Sequence, residues 1–383
     1  MRILVIATDG FGGHGGIALY TRNLLNALCA HRARPRVIAV PRLMPFARGA
    51  VPENLYWDIS GIGGKGRFAG AVLRAAVRSR GIDLVLCTHV HLLPLAYPVA
   101  RIHRAPLVLF VYGIEVKQPT RKPLANRFAA RVDAVVSIRR HTTNALASWL
   151  PLDGVRTYLL ENAIDLSNYA PGPKARDLVE RFGLAGKRVV MTLSRLGEQY
   201  IGVDEVLGAL PRISREAQDV VYFVAGEGPD LPRLREKAKA LGVADRVVFG
   251  GFVPDERKAD YYRLGDVYAM PGSGPDFDRY PARFAFLEAM ACGIPVVGAA
   301  CEDEEERRVD GALLARQVDP NDPDAIAKGV LETLSMPRAV PAGLERFGYA
   351  SFERRLHRIV DEVTARGPRS NRTEAKAQQQ ATS

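Results

Sequence analysis

The sequence predicts an α/β protein built from two doubly wound domains in tandem, each with a parallel sheet at its centre. Short apolar, strand-like runs alternate with helical patterns along most of the chain, which is typical of parallel sheets with crossover helices. The alternation pauses near Asp165 and resumes at Val189. A chain of 383 residues also exceeds the usual size of one hydrophobic core. These observations together indicate two domains.

The first half contains several candidate strands, each a short run rich in Val, Ile and Leu. They are Ile3–Ala7, Arg36–Val40, Leu84–Thr88, Leu107–Val111, Ala134–Ser137 and Thr157–Leu160. Helical periodicity lies between strands at Ile17–Leu28 and across residues 64–80. Ligands collect beyond the carboxyl ends of such strands, so the loops that follow them are the first places to look for a site.

A glycine-rich loop, Asp9–Gly16, joins the first strand to the first helix. Glycine-rich backbone that leads into a helix N-terminus favours an anion, because free N–H groups and the helix dipole point the same way. Gly15 and Gly16 are therefore candidate binding residues. The loop lacks the GxGxxG spacing of dinucleotide enzymes, and a flexible surface turn is the alternative.

The second half repeats the alternation after Pro171-Gly-Pro173, which we interpret as a linker. Its predicted strands are Val189–Leu193, Val220–Ala225, Val247–Phe249, Val267–Met270 and Val296–Gly298. Its predicted helices are Val203–Leu210, Leu231–Leu241, Glu256–Arg263, Phe284–Cys292 and Asp324–Leu334. We expect domains at 1–165 and 166–345, a helix over 346–366 that crosses back to the first domain, and a disordered tail at 367–383.

Composition narrows the class of protein. Apolar residues make up 47% and charged residues 25%, as in ordinary soluble domains. No run approaches the roughly 20 apolar residues of a membrane span. A signal peptide is not expected, because Arg2–Ala7 already reads as the first strand. The four cysteines lack CxxC or ligand spacing, which predicts reduced, structural thiols and a cytoplasmic location.

The charge is unevenly divided. Residues 1–165 carry a balance of +13 and the remainder −2, within a total of +11. In a predicted amphipathic helix over 64–80, Arg67, Arg74 and Arg78 share one face. A second basic cluster comprises Lys117, Arg121, Lys122, Arg127, Arg131, Arg139 and Arg140. With few aromatic residues interleaved, these clusters favour an anionic membrane surface over nucleic acid, and a solvated basic surface is the alternative.

Two local features carry candidate chemistry. His89 and His91 follow a predicted strand end, where they could line a cleft; an HxH pair can also ligate zinc, but no third ligand is near in sequence. Glu288 lies inside an otherwise apolar helical run. A carboxylate there needs a partner if it is buried, and a position on the wet side of the helix is the alternative.

The order of several motifs resembles the retaining, nucleotide-sugar-dependent glycosyltransferases of family 4 (group 1), which have the GT-B fold of two facing Rossmann-like domains. The matching stretches run nearly end to end. They are Gly15–Leu24, Tyr112–Val116, Glu161–Asp165, Ser194–Leu196, Gly202–Asp204, Ala225–Pro229, Val247–Val253, Phe286–Val297, Asp310-Gly311 and Asp322–Ile326.

The resemblance implies specific roles. Arg195 and the backbone N–H groups of Phe284 and Ala285 would stabilise charge on the leaving diphosphate, with Gly15 and Gly16 approaching it from the other domain. Glu288 would accept hydrogen bonds from the ribose, and Val253 would border the base. His89, His91, Tyr112 and Glu115 would lie on the acceptor side. No covalent protein nucleophile is implied, and neither a metal nor another cofactor is expected besides the nucleotide-sugar donor.

The chain departs from the family pattern at its charged positions. Tyr280 stands where the family has a first Glu, and Pro281 and Arg283 replace the glycines that follow it. Ile201 replaces a phosphate-binding Lys, and Tyr112 a frequent His. Asp278 could stand in for the lost carboxylate, and Arg279 or Arg283 for the lost cation. We therefore assign catalytic positions to Arg195, Tyr280 and Asp278. Asp276 and Asp278 also form a DxD motif, which binds a metal ion in transferases of a different fold. Here the motif lies in a loop of another architecture, and a metal role is not expected.

We therefore expect a glycosyltransferase that moves a sugar, with retention, from a nucleotide diphosphate to an acceptor held by the basic domain. A lipid-linked saccharide of surface-polysaccharide assembly is the expected acceptor, which would place the enzyme peripherally on the inner membrane face. Alternatives are a non-catalytic nucleotide-sugar-binding homologue, a partner subunit of another glycosyltransferase, and a nucleotide-sugar epimerase of similar fold.

Overall fold

The computed structural model describes residues 1–13, 15–47, 49–79, 81–197, 202–272, 283–301, 308–309 and 312–368. The chain forms two compact units. Unit 1 comprises Met1–Ala163 together with Tyr349–Ser383, and unit 2 comprises Ile164–Gly348. The first boundary thus falls two residues before the expected position at 165, and the second falls after Gly348 instead of 345.

Unit 1 is centred on a sheet whose seven described strands are all parallel, in the order β3-β2-β1-β4-β5-β6-β7. The strands are β1 Arg2–Ala7, β2 Arg36–Pro41, β3 Leu55–Trp57, β4 Leu84–Cys87, β5 Leu107–Val111, β6 Ala134–Ser137 and β7 Arg156–Leu159. The central strands are buried along nearly their whole length, because helices cover both faces of a parallel sheet.

The helices of unit 1 follow the strands in doubly wound order. They are α1 Gly16–Cys29, α2 Lys65–Arg78, α3 Leu93–Ile102, α4 Pro123–Ala129, α5 Arg140–Ala147 and, from the end of the described chain, α12 Tyr349–Arg366. On α2, Phe68 and Val72 are buried, whereas Leu73 and Val77 are exposed.

The last helix, α12, packs on α1 within unit 1. The rings of Tyr20 and Phe352 meet edge to face at 5.5 Å, and the guanidinium of Arg355 pairs with the buried carboxylate of Glu161. The Tyr20 hydroxyl donates to the carbonyl of Leu160 at 2.9 Å. The expected return of the final helix to the first domain is confirmed.

Unit 2 has a second parallel sheet, with the described strands in the order β10-β9-β8-β11-β12-β15. These are β8 Arg188–Leu193, β9 Val220–Ala225, β10 Val247–Gly251, β11 Val267–Met270, β12 Val296–Ala299 and β15 Arg316–Val318; a small antiparallel pair joins β13 Arg308–Val309 and β14 Ala312–Leu313. The helices are α6 Arg176–Phe182, α7 Val203–Glu216, α8 Leu231–Ala240, α9 Lys258–Leu264, α10 Phe284–Ala291 and α11 Pro323–Leu334. The α/β class with two parallel sheets is confirmed.

Residues 171–173 do not link the two units, contrary to the sequence interpretation. They lie inside unit 2, where a Cβ at Gly293 would lie 3.3 Å from Pro171 and one at Gly172 would lie 3.1 Å from the side chain of Arg263. Of the expected tail, only 367 and 368 fall within the described residues. All four cysteines are free thiols. Within the described ranges, no helix combines the length and apolar character that a membrane crossing requires.

Candidate active site

The centre of the candidate site in unit 2 is Arg195, in the loop that leaves the carboxyl end of β8. Its side chain is exposed and has no hydrogen bond or ion pair to any residue in the described ranges. A guanidinium that no described carboxylate neutralises can offer its full fork of donors to an anion. The geometry therefore suits the predicted phosphate contact.

Two glycines hold the loop after β9 directly against the Arg195 loop. A Cβ at Gly226 would lie 1.8 Å from the carbonyl oxygen of Ser194, and one at Gly228 would lie 1.6 Å from that of Leu196. Gly226 N–H donates to the carbonyl of Gly251 at 2.8 Å, which adds the loop after β10. The loops that follow three adjacent strands therefore meet at one edge of the sheet.

Two helices begin at this edge without a side-chain cap from any described residue. The helix α7 starts after Gly202, whose φ of 96° suits glycine and whose Cβ would lie 2.7 Å from the backbone of Met270 at the end of β11. The helix α10 starts after Arg283 and has no acidic residue in its first turn. First-turn N–H groups have no partner within their own helix, so they can bind a phosphate.

The start of α10 lies near the Arg195 loop. The Tyr268 hydroxyl donates to the carbonyl of Leu193, two residues before Arg195, at 3.0 Å. The Tyr268 ring also lies 5.7 Å from the ring of Phe286, in the first turn of α10. Tyr268 thus connects the end of β8, which Arg195 follows by two residues, with the first turn of α10.

Glu288 is buried, so the alternative of a carboxylate on the wet side of the helix is wrong. Its side chain is 4% exposed. Its Oε1 accepts from the Tyr169 hydroxyl at 2.9 Å and from Lys258 Nζ at 3.4 Å, while Oε2 accepts from the Tyr262 hydroxyl at 2.7 Å. Burial raises the pKa of both tyrosines, and the adjacent carboxylate raises it further. The buried Glu288 carboxylate therefore has the partners that its burial requires, two tyrosines and a lysine.

These contacts leave the Glu288 carboxylate little capacity to accept hydrogen bonds from a ribose. A carboxylate has about four acceptor positions, of which three are used here. A ribose hydroxyl could take the remaining position on Oε2 or displace Lys258, whose contact is the longest of the three. Hydrogen bonding to ribose therefore stays a prediction for Glu288. Tyr169, Tyr262 and Lys258 were missed from the sequence, because no motif marks them as partners of α10.

Val253 and Phe252, which follow β10, differ in exposure. Val253 is 9% exposed and packs in the core of unit 2, while Phe252 is 67% exposed. The Phe252 N–H donates to Glu227 Oε1 at 3.2 Å, which fixes the loop to the Gly226–Gly228 segment. If this loop borders a base, Phe252 supplies the exposed ring and Val253 mainly backbone.

In unit 1, the loops after β1, β4 and β5 also meet at one sheet edge. Thr8 N–H donates to Thr88 Oγ1 at 3.2 Å, and the Arg22 guanidinium donates to the Gly13 carbonyl at 2.8 Å. Gly15 precedes α1 with a φ of 94°, and a Cβ there would meet open space. The N-terminus of α1 at Gly16 has no cap from a described side chain, as an anion site requires.

His89 and His91 lie together in the loop after β4. Their rings are 4.8 Å apart, and His91 N–H donates to His89 Nδ1 at 3.1 Å. Burial lowers the pKa of His89 to about 4, helped by His91, Lys122 and Arg42. Both rings are therefore neutral near pH 7. No set of three His, Cys, Asp or Glu side chains in the described ranges is arranged to hold a metal ion.

Tyr112 and Glu115 form a local turn after β5. Glu115 Oε1 accepts the Tyr112 backbone N–H at 2.5 Å, and burial raises the pKa of Glu115 while backbone N–H groups partly offset it. The Tyr112 ring packs edge to face on Tyr20 at 5.3 Å. Glu115 thus fixes the loop, and contact of either residue with an acceptor stays a prediction. Tyr280, Asp278, Arg279 and Ile201 lie outside the described residues.

Comparison with known proteins identifies the family. Residues 14–168 match the sequence model of glycosyltransferase family 4, and residues 187–336 match that of the glycosyl transferases group 1. The chain belongs to this glycosyltransferase family.

Individual relatives carry more specific names. A GDP-mannose-dependent alpha-(1-6)-phosphatidylinositol monomannoside mannosyltransferase of Mycolicibacterium smegmatis is 34% identical over 244 residues, which is 62% of this chain and less than two thirds (63%) of that protein. The protein of the same name in Mycobacterium tuberculosis H37Rv is 29% identical over 361 residues, or 89% of this chain and 91% of that one. Sucrose-phosphate synthase of Thermosynechococcus elongatus superposes with a TM-score of 0.73 at 18% identity over 96% of this glycosyltransferase and all of that chain. The GT-B fold is confirmed.

Proposed function

We propose that this glycosyltransferase moves a mannosyl residue from GDP-mannose to a lipid-linked saccharide with retention of configuration. The observation that carries the proposal is the exposed guanidinium of Arg195 after β8, together with the uncapped start of α10, which Tyr268 connects to the end of β8. That arrangement suits a diphosphate leaving group. The names of the mycobacterial relatives support GDP-mannose as donor and a phosphatidylinositol mannoside as acceptor.

The chemistry assigned to unit 2 is stabilisation of charge on the departing β-phosphate. Arg195 would donate two parallel hydrogen bonds, and the N–H groups of Phe284 and Ala285 would donate from the start of α10. Arg283 would add the cation that the family pattern places at Ile201. The leaving phosphate itself would accept the proton of the attacking hydroxyl, so no covalent protein nucleophile takes part.

The acceptor is assigned to unit 1. Neutral His89 and His91, at the loop edge with Tyr112, can hydrogen-bond sugar hydroxyls without attracting a competing anion. The exposed apolar side chains of α2, Leu73 and Val77, lie beside its arginines and would contact an anionic bilayer surface. Such contact would be peripheral, on the cytoplasmic face, and would weaken with salt.

The test of the donor assignment is transfer from labelled GDP-mannose to phosphatidylinositol mannosides, with UDP-glucose as the comparison donor. Arg195→Ala should lower kcat/KM by about 10²- to 10³-fold, the usual effect of losing one donor to a developing anion. Arg215→Ala, at the far end of α7, is the matched control and should transfer normally. Donor binding without transfer in the unmodified protein would support the non-catalytic alternative instead.

Retention and metal independence need their own measurements. The anomeric configuration of the new linkage, read from its NMR coupling constants, should match that of the donor. Activity should survive EDTA. Inversion, or activity that returns only with an added divalent ion, would overturn the corresponding part of the proposal.

A further inference from the structure

An arginine-lined cavity lies in unit 1 away from the loops described above. Its volume is about 430 Å³, and Arg2, Arg36, Arg74 and Arg78 all line it, together with Tyr56 and Asp58. Arg2 and Arg36 are the first residues of β1 and β2, and Tyr56 lies on the edge strand β3, so the cavity lies beside that edge of the sheet, next to the amino ends of β1 and β2. The glycine-rich loop and the histidines follow the carboxyl ends. This arginine pocket is therefore separate from the transfer site.

The fold places like charges next to one another at the pocket. Arg2 and Arg36 are direct partners in the register of the parallel β1–β2 pair. Arg74 and Arg78 are four residues apart on α2, which puts them one above the other on the helix surface. Like charges in either arrangement destabilise a protein. Two such pairs around one cavity indicate that its charge is kept for binding.

The pocket holds little negative charge of its own. Asp58 is the one carboxylate in the lining, and its Oδ1 accepts the Ser60 N–H at 2.9 Å. Arg74 donates to the Ser60 hydroxyl at 3.1 Å. Within the described ranges, Arg36, Arg74 and Arg78 form no ion pair. The guanidinium groups of Arg36, Arg74 and Arg78 therefore face the cavity with no carboxylate partner in those ranges, an excess of charge that an anion can neutralise.

We propose that the arginine pocket is a second binding site, for a molecule that carries at least two phosphate groups or an equivalent charge. Guanidinium groups bind phosphate oxygens in pairs, and two pairs of them face one cavity. The volume lies in the range of small-molecule pockets. The Tyr56 side chain, 55% exposed at the cavity, supplies a neutral hydroxyl beside the arginines. A free phosphorylated metabolite and a phospholipid headgroup share this chemistry.

The test uses the full chain with Arg195→Ala in every sample, so that a phosphate probe cannot bind through that side chain. Inorganic pyrophosphate is titrated by calorimetry, and sedimentation is measured with phosphatidylcholine vesicles that contain or lack phosphatidylinositol 4-phosphate, whose headgroup carries two phosphate groups. Arg36→Gln and Arg74→Gln are the test variants. Arg104→Gln removes an exposed charge of unit 1 outside the cavity and outside α2, and is the matched control.

Either test variant should weaken binding about tenfold or more, since each removes charged hydrogen bonds, while the control binds normally. Loss of pyrophosphate binding identifies a free phosphorylated ligand, and loss confined to anionic vesicles identifies a headgroup. Without probe, Arg36→Gln should melt no lower than the parent, because a repulsion is relieved. The proposal is overturned if neither probe binds, or if Arg104→Gln loses as much binding as the test variants.

Discussion

Replacing Glu288 by alanine should destabilise unit 2 strongly, whatever it does to the donor. The carboxylate accepts from two tyrosine hydroxyls and a lysine, and its side chain is 4% exposed. Alanine would leave the hydroxyl of Tyr262, a fully buried residue, without its acceptor. Tyr169 would lose its acceptor as well, and the Lys258 ammonium would lose its buried partner.

The expected size follows from these contacts. An unsatisfied buried hydroxyl costs about 1–3 kcal/mol, and the one lost methylene group adds about 0.8 kcal/mol. The total is about 2–4 kcal/mol, which overlaps the cost of other broken buried charge pairs. Glu288→Gln should cost less, because the amide keeps the shape and one acceptor while a tyrosine hydroxyl can turn to accept from its NH₂ group.

The assay is urea unfolding followed by far-UV circular dichroism, which reports the helices of both units. Tryptophan fluorescence reports unit 1 separately, because Trp57 and Trp149 both lie there. Glu236→Ala on the exposed face of α8 is the matched control, with an expected change within about 0.5 kcal/mol. A double-mutant cycle with Tyr169→Phe should give a coupling energy of about 0.5–3 kcal/mol. If Glu288→Ala and Glu236→Ala unfold alike, the tyrosine–carboxylate cluster does not hold α10 and the reasoning is refuted.

Three further predictions test the loops and the final helix. Gly228→Ala should lower the free energy of unfolding by about 3 kcal/mol, because its Cβ would lie 1.6 Å from a backbone oxygen. Gly208 has open space around it, so Gly208→Ala should be neutral or stabilising. Equal shifts in melting temperature for the two variants would contradict this. The pKa of His89 is about 4 in the folded state and 6.5 in the unfolded state, so the unfolded state binds more protons between these two pH values. The free energy of unfolding should therefore fall by up to roughly 3 kcal/mol as the pH drops from 6.5 to 4. His89→Gln should remove that part of the pH dependence, and a His89 ring that titrates near 6.5 by NMR would rule the explanation out. Arg355→Met should cost about 3–5 kcal/mol by removing the arginine that pairs with the buried Glu161 carboxylate, and a melting temperature like that of the parent would argue against the pairing.

The strand pattern could be predicted well, and the misses have local causes. The strand β3 has only three residues, with one exposed between two buried, which is too short for periodicity to detect. The helix α3 contains Pro98, which reads as a helix breaker in a single sequence, and tertiary packing overrides that preference. The segment 171–173 has the composition of a linker, yet it packs on Gly293 and Arg263 inside unit 2.

The sequence by itself determined the α/β class, the two parallel sheets, the loops that carry the site and the family motifs. Those properties depend on residues near one another along the chain, such as apolar periodicity and glycines before helices. Only the tertiary structure decided which residues surround Glu288, that the loop after β10 exposes Phe252 and buries Val253, and that four arginines line one cavity. Each of these depends on residues distant in sequence, and a charge or a hydroxyl has no local pattern that names the partner it will meet.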